Sequence, residues 1–290
     1  MSRYIVIGGA GFIGLNTAKE LAKRGHEVSL VDRVLLEVEH ENIQCSVVDI
    51  HDLGALKSLM PGADGVFHFA AIADIADALQ RPYETIQTNV MGTVNVLEAM
   101  LHAGVKRLMY ASTMYVYSPY GGFYRASKQA AETIIETYGD EKGIDYTILR
   151  YGSLYGPGSQ KWNGLRRYVE QVMAHESLKY WGTGEEVREY IHVTDAARLT
   201  VDSLAERFKN RAVTITGQQS VKVDDMISLL FEICGKDRNV EYVQDDKNRG
   251  HYVSTPYRFT PKVSVKLCPD EYIDLGQGIL QLIEEVAEKK

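Results

Sequence analysis

Cysteine is scarce in this chain: Cys45, Cys234 and Cys268 are the three in 290 residues, and no two form a CxxC pair. An odd, scattered set excludes a disulfide framework and a cysteine-built zinc site, and fits a reducing compartment. Long apolar runs are missing too; none approaches the roughly 18 residues that a membrane-spanning helix needs. The opening MSRYIVIGG enters a strand at once and leaves no room for a signal peptide, so the expectation is a cytoplasmic protein without a membrane partner. Positive charge is also in short supply, with 32 Lys and Arg against 39 Asp and Glu and a net charge of -7. Nucleic acid and anionic membranes both need a basic footprint, so neither is expected as a main partner. A local site can still hold a small anion.

What is present is a rhythm. Short apolar runs at Tyr4–Ile7, Glu27–Val31, Gln44–Val48, Val66–Phe69, Arg107–Ala111 and Asp145–Leu149 alternate with amphipathic stretches such as Phe12–Arg24, which Gly25 would end. Alternation of this kind predicts an α/β fold, a doubly wound parallel sheet built from right-handed βαβ units. After Tyr155 the rhythm loosens at Gly156-Pro157-Gly158 and again at Gly182-Thr183-Gly184. Ile191–Glu206 reads as a helix and Ala212–Thr216 as a strand that rejoins the first sheet. The expected organisation is therefore a nucleotide-binding domain over 1–155 with a return segment at about 190–218. Residues 156–189 and 219–290 would form a smaller substrate-binding lobe.

Gly8, Gly11 and Gly14 follow the first strand and open the first helix, in the run Gly8-Gly9-Ala10-Gly11-Phe12-Ile13-Gly14. Glycines at that spacing permit a tight turn, close approach of backbone to a pyrophosphate, and a helix N-terminus aimed at the phosphates. Asp32 stands eighteen residues beyond Gly14, near the ~20 expected of a carboxylate that accepts from ribose hydroxyls. Such a carboxylate repels a 2′-phosphate, which favours NAD over NADP, although the neighbouring Arg33 could offset part of that preference. Asp49 and Ile50, at the end of the third strand, are candidates to border the adenine.

Tyr124 and Lys128 sit four apart in Tyr-Arg-Ala-Ser-Lys, on one face of a helix that runs through Tyr138. An ammonium beside a phenol favours the phenolate and would lower its pKa, making a usable proton carrier. The preceding strand delivers Ser112 and Thr113 to the carboxyl edge of the sheet, where ligands bind in such folds. Alone, the Tyr-Lys pair could be a surface pair; its force comes from the company of the glycine turn and Asp32.

With His68-Phe69-Ala70-Ala71, Asn89 in Asn-Val-Met-Gly-Thr, Leu149-Arg150-Tyr151, Arg188-Glu189-Tyr190-Ile191-His192-Val193 and Asp195 also in order, the chain resembles the NAD-dependent epimerase/dehydratase family of nucleotide-sugar enzymes. The likeness covers residues 3–200 closely. It implies a Rossmann domain, bound NAD, a nucleotide-diphosphate sugar substrate and a homodimer paired through helices near 84–103 and 124–139. It implies Thr113, Tyr124 and Lys128 as the catalytic set, with Lys128 also on the nicotinamide ribose. Phe12, Ile13, Phe69, Ala70, Ala71, Asn89 and Tyr151 would complete the cofactor surface. Ser153, where relatives often carry Asn, would face the substrate with Asn163, Arg188 and Arg249. His68 and His192 read as structural.

Two departures from the family pattern narrow the chemistry. Met114 and Tyr115 follow Thr113 where sugar dehydratases resemble Asp-Glu, so neither dehydration nor decarboxylation is expected. Thr113 and Tyr124 lie only eleven residues apart, a shorter spacing than that of the sugar epimerases. Tyr115, Tyr117 and Tyr120 in this short loop could face the sugar or simply pack. The implied activity is a 4-epimerase; a keto-sugar reductase or sugar dehydrogenase is the alternative, and a non-catalytic NAD-binding regulator a third.

Overall fold

The computed structural model describes residues 1–36, 38–175, 177–243, 265–267, 269 and 271–288. Strand β1 (Arg3–Ile7), helix α1 (Phe12–Lys23), β2 (Glu27–Asp32), β3 (Ile43–Val47), α2 (Leu53–Leu59) and β4 (Gly65–His68) form the first half-sheet. Then come α3 (Ile75–Gln80), α4 (Pro82–Ile86), a π-helical turn at Gln87–Met91, α5 (Gly92–Ala103) and β5 (Arg107–Thr113). A 3₁₀ turn at Met114–Tyr117 leads into α6 (Gly122–Lys142), β6 (Asp145–Tyr151), β7 (Ser153–Tyr155) and α7 (Gly164–His175). Next are β8 (Leu178–Trp181), β9 (Val187–Arg188), β10 (Tyr190–His192), α8 (Val193–Asp202) and β11 (Arg211–Ile215). β12 (Val221–Lys222), α9 (Val223–Ile233), β13 (Val240–Val243), β14 (Val265–Leu267) and α10 (Leu275–Glu288) complete the chain.

Eight strands form one sheet in the order β14-β11-β6-β5-β4-β1-β2-β3, and every neighbouring pair is parallel. Parallel strands need crossovers, and helices cover both faces, which explains the continuous apolar runs read in the sequence. Val6, Phe67, Met109 and Leu149 face a core with Leu21 of α1 and Ala196 and Leu199 of α8. Ile5, Val66, Leu108 and Ile148 face the other, with Leu56, Leu97 and Ile135 of α2, α5 and α6. Alternate residues of one strand thus serve opposite faces. The expected fold is the observed one.

The sheet order reverses between β1 and β4, and a crevice opens there at the carboxyl ends of the strands, where such folds bind ligands. A third core, around Val169, Tyr180, Met226, Leu230, Phe231 and Leu282, gathers α7, β8, α9 and α10 beside that edge.

Three boundaries differ from expectation. Ile191 and His192 are not helical; they pair with Leu154 and Tyr155 in a parallel ladder, and α8 begins only at Val193. Helix α8 stops at Asp202, not Glu206, and a separate 3₁₀ turn holds Glu206–Phe208. Val265–Leu267, assigned to the smaller lobe by position, is the edge strand of the main sheet, paired with β11. The expected strand Ala212–Thr216 does rejoin that sheet, one residue earlier at each end.

Leu97 is fully buried between α5 and the sheet. Leu97→Ala is expected to cost about 2–5 kcal/mol, transfer and cavity terms together. Urea unfolding followed by circular dichroism measures it.

Candidate active site

The glycine turn is held tightly against the sheet. Gly8 adopts φ +80°, and a Cβ there would lie 2.4 Å from Ala70 N; a Cβ on Gly14 would lie 2.2 Å from Gly8 O. Only hydrogen fits at either place. Helix α1 then starts with Gly11 as N-cap, with no capping side chain and no acidic residue in its first turn. Its first amides are left to an external acceptor, and the helix dipole favours an anion there. This is a cradle that fits a dinucleotide pyrophosphate, bordered by Phe12 and Ile13.

Asp32 closes the turn from β2. Its Oδ2 accepts from Ala10 N at 3.0 Å and its Oδ1 from Val34 N at 3.3 Å, so the carboxylate stands fixed beside the turn, while Arg33 is exposed. Asp49 is exposed and accepts from His51 N at 2.8 Å, and Ile50 beside it is buried against Gly92. Phe69 and Ala70 both donate their amides to Ile7 O, at 2.8 and 3.2 Å, which ties the exit of β4 to the entry of the turn. Ala71 follows, half-buried.

The expected catalytic set assembles at the ends of β5 and α6. The Thr113 hydroxyl stands near enough to that of Tyr124 to act on its ionisation, and Thr113 Oγ1 accepts from Tyr115 N at 3.3 Å. Tyr115 meets the Tyr124 ring edge-on, with centroids 6.3 Å apart. Lys128 is buried, with Nζ donating to Ala111 O at 2.8 Å and lying 4.8 Å from the Tyr110 ring centroid. Lys128 turns its ammonium to the Ala111 carbonyl, and burial is the largest influence on the Tyr124 phenol. Desolvation pushes Tyr124 up to about 12, against which the nearby Thr113 hydroxyl works downward. Burial also drives Lys128 down, to about 7, with the field of Glu132 acting in the other direction.

Asn89, expected on the cofactor surface, is a buried clamp. It sits in the π-helical turn, an insertion that often marks functional sites, and its amide reaches three partners. Oδ1 accepts from Ile72 N at 2.7 Å, while Nδ2 donates to Ile72 O at 3.0 Å and Ser127 Oγ at 2.9 Å. It thereby joins the loop after β4 to the residue beside Lys128. Tyr151, also expected at the cofactor, is 6% exposed and gives its hydroxyl to Thr200 at 2.6 Å inside the core, so it contributes no side chain to that surface.

Ser153 lies in β7, Asn163 just before α7 and Arg188 in β9. Asn163 donates to Leu154 O at 2.8 Å and accepts from Arg166 N at the start of α7. Ser153 pairs with Tyr190, two residues past Arg188. Arg249 lies outside the described residues, as does Cys268.

His68 and His192 are both buried. His192 Nδ1 accepts from Thr194 N at the start of α8. Thr93 commits its proton to Asn89 O at 2.7 Å, so His68 Nε2 is the donor across its 3.0 Å bond to Thr93. Burial first, and the Lys128 charge second, push His68 down to about 3, and it is neutral.

The sequence reading missed a buried polar group beneath the site. Glu132 accepts from Ser112 Oγ at 2.6 Å, from Arg150 Nε at 3.0 Å and from an Arg150 terminal nitrogen at 2.7 Å. The other terminal nitrogen of Arg150 donates to Tyr117 at 2.8 Å. The signal was available: Glu132 is one helical turn past Lys128 on the Tyr124 face, and Arg150 belongs to a quoted motif without a role.

Comparison with known proteins adds three findings. The model of the family described as "NAD dependent epimerase/dehydratase family" matches residues 4–215. The chain is 29% identical over 275 residues to a UDP-glucuronate 4-epimerase of Thermodesulfobacterium geofontis, covering 85% of each chain. It is 29% identical over 276 residues to a UDP-N-acetyl-alpha-D-glucosaminuronate decarboxylase of Bacillus cytotoxicus, covering 86% of this chain and 85% of that one. Among solved structures, the UDP-glucuronic acid 4-epimerase of Bacillus cereus, in complex with UDP-glucuronic acid and NAD, matches with a TM-score of 0.86. That match has 22% identity over 99% of this chain and 100% of the other, and it speaks for the fold.

Asn89→Ala should destabilise the protein by about 1–3 kcal/mol, since it removes the partner of the Ile72 amide and of the Ile72 carbonyl. Denaturant midpoints compared with wild type give the value; an unchanged midpoint would show that the clamp carries no energy.

Proposed function

Because the chain belongs to the NAD dependent epimerase/dehydratase family, we propose that it is a nucleotide-sugar 4-epimerase working with bound NAD. The observation that carries this reading is the Thr113–Tyr124 hydroxyl pair on the helix of Lys128, beside the glycine cradle and without a carboxylate at positions 114 and 115. Met114 is 1% exposed in a small core with Val116 and Tyr117, and the Tyr115 ring lies against Tyr124. Neither can serve as the acid or base that loss of water requires. Relatives named for decarboxylation exist, but these two positions do not support that chemistry either.

In this reading the α1 N-terminus takes the pyrophosphate and Asp32 the adenosine ribose. Ser153, Asn163 and Arg188 hold the nucleotide sugar. The oxidised nicotinamide, when bound, supplies a hydride acceptor and a positive charge. Tyr124 Oη takes the proton of the substrate C4 hydroxyl, and Thr113 orients that oxygen. A phenol held at about 12 is almost wholly protonated at neutral pH, so in this reading a nearby cation, Lys128 one helical turn on, matters to its ionisation. The sugar, oxidised at C4, turns its other face, and as the hydride comes back to C4 the same Tyr124 oxygen returns the proton to the C4 oxygen. Positive groups at the substrate side, Arg188 among them, suit a diphosphate.

The exposed Leu79, Tyr83, Ile86 and Met91 lie along α3, α4 and the π-helical turn, and this apolar stripe supports a homodimer. A nucleotide-sugar substrate and the free thiols of Cys45 and Cys234 fit a cytoplasmic enzyme.

Three outcomes test the reading. Incubation with UDP-, GDP-, dTDP- and CDP-sugars should invert C4 with no accumulation of NADH; stoichiometric NADH without inversion would establish the reductase or dehydrogenase instead. Tyr124→Phe should keep NAD binding and lose roughly 10²–10⁴-fold in turnover, the usual worth of acid–base catalysis. Fluorescence titrations should show NAD binding tighter than NADP, with Asp32→Ala narrowing the gap. Equal affinities in the wild type would give the choice to Arg33.

A further inference from the structure

Lys128 is surrounded on every side, and the charge balance of its surroundings is unusual. From β5 it meets the Tyr110 ring and the Ala111 carbonyl. On the β4 side His68 feels its charge and is itself neutral. Along α6, Tyr124 lies one turn before it and Glu132 one turn after, so three chemically active side chains at i, i+4 and i+8 share one face. Glu132 makes no bond to Lys128. Its oxygens are taken by Ser112 and the Arg150 guanidinium, the two charged side chains being 5% and 4% exposed. Arg150 is held in turn by Tyr117 in the turn that follows Thr113.

A buried ion pair rarely justifies itself by stability, because desolvation consumes most of the attraction. A fixed charge in a low-dielectric interior does act strongly on a neighbouring ionisable group. The Arg150 fork and the Ser112 hydroxyl hold the carboxylate in one place. Burial acts to strip the proton from Lys128, and the field of Glu132 opposes that loss. We propose that Glu132, clamped by Arg150 and Ser112, is a positioning residue that keeps the Lys128 ammonium charged one helical turn from Tyr124. The device joins four elements: β5 through Ser112, the 3₁₀ turn through Tyr117, α6 through Glu132, and β6 through Arg150. It acts on the proton carrier without touching substrate. Its catalytic consequence rests on the epimerase reading; its electrostatic content does not.

The experiment therefore reads Lys128 directly. Protein labelled with carbon-13 at lysine Cε is titrated by NMR, and the Lys128 signal is assigned by its loss in Lys128→Met. In wild type its midpoint is expected near neutrality. In Glu132→Gln it should fall by about one pH unit or more, a tenfold or greater change in acid dissociation. Glu132→Asp, which keeps the charge, should restore the wild-type midpoint. Should Glu132→Gln not fold, the double variant E132Q/R150M, which leaves no buried charge unpaired, is read in the same way. With a substrate in hand, the alkaline limb of the rate profile should move to lower pH with the NMR midpoint, the rate recovering as pH is lowered. An unchanged Lys128 midpoint in a folded, merely less stable variant overturns the proposal. A shifted midpoint in a protein that turns over no nucleotide sugar upholds it and overturns the epimerase reading instead.

Discussion

Much of this molecule depends on one carbonyl. Ile7 O receives both the Phe69 and the Ala70 amides, and this forked bond fixes how the exit of β4 meets the turn after β1. The parallel ladder between the two strands ends there, at the place where the strand order reverses. Because Ala70 is drawn in, Gly8 has no room for a side chain. Because Gly8 turns so sharply, α1 begins immediately and points its free amides into the crevice. The ligand site is thus a consequence of sheet closure, and the glycines are required by backbone contact before any cofactor is considered.

A second constraint descends from the first. The loop that leaves Ala70 and Ala71 must stop somewhere, and Asn89 stops it by binding both backbone groups of Ile72. The same amide reaches Ser127, whose hydroxyl donates to Tyr124 O at 2.8 Å. The cofactor border and the first turn of α6 are therefore one connected piece. A shift of α6 relative to the glycine cradle would break buried polar bonds, each costly to leave unmade. This coupling explains why a π-helical turn, with its poorer geometry, is tolerated between α4 and α5: it swings Asn89 inward at the required depth.

The sheet, its crossovers and the cradle were legible because each leaves a periodic or positional trace. Apolar runs of strand length, a glycine spacing and an acidic strand end all survive reading one residue at a time. The lobe was harder. Ile191 and His192 look helical beside α8, yet a ladder with Leu154 and Tyr155 claims them, and that pairing is non-local. Val265–Leu267 joins the main sheet from about fifty residues beyond β11, with no local pattern to announce it. In the site, Thr113, Tyr124 and Lys128 were legible as a motif, whereas the true surroundings of Lys128 were not. Motif reading pairs the ammonium with the phenol, but the fold gives it a carbonyl and a distant carboxylate. Tyr151 likewise looked like a site residue from its motif, and its hydroxyl went to Thr200 in the core.

The short connection between Thr113 and Tyr124 shows how the site survives with little chain above it. Eight residues, 114–121, must reverse direction from the end of β5 to the start of α6, and they do so with a 3₁₀ turn and two left-handed glycines, Gly121 at φ +99° and Gly122, the first residue of α6, at φ +51°. Arg125 then reaches back to Ser118 O at 2.8 Å and pins the connection to α6. Of the tyrosines in this stretch, Tyr117 packs and binds Arg150, Tyr115 braces Tyr124, and Tyr120 is exposed. The short connection is thus spent on bracing the first turn of α6, where Tyr124 sits. In the proposed reading, preference for one sugar over another falls to the lobe side, with Ser153, Asn163 and Arg188 as the candidates, and the chemistry to α6. On that reading selectivity and reactivity are borne by different elements, so a change of substrate in the lobe would leave the Tyr124–Lys128–Glu132 face undisturbed.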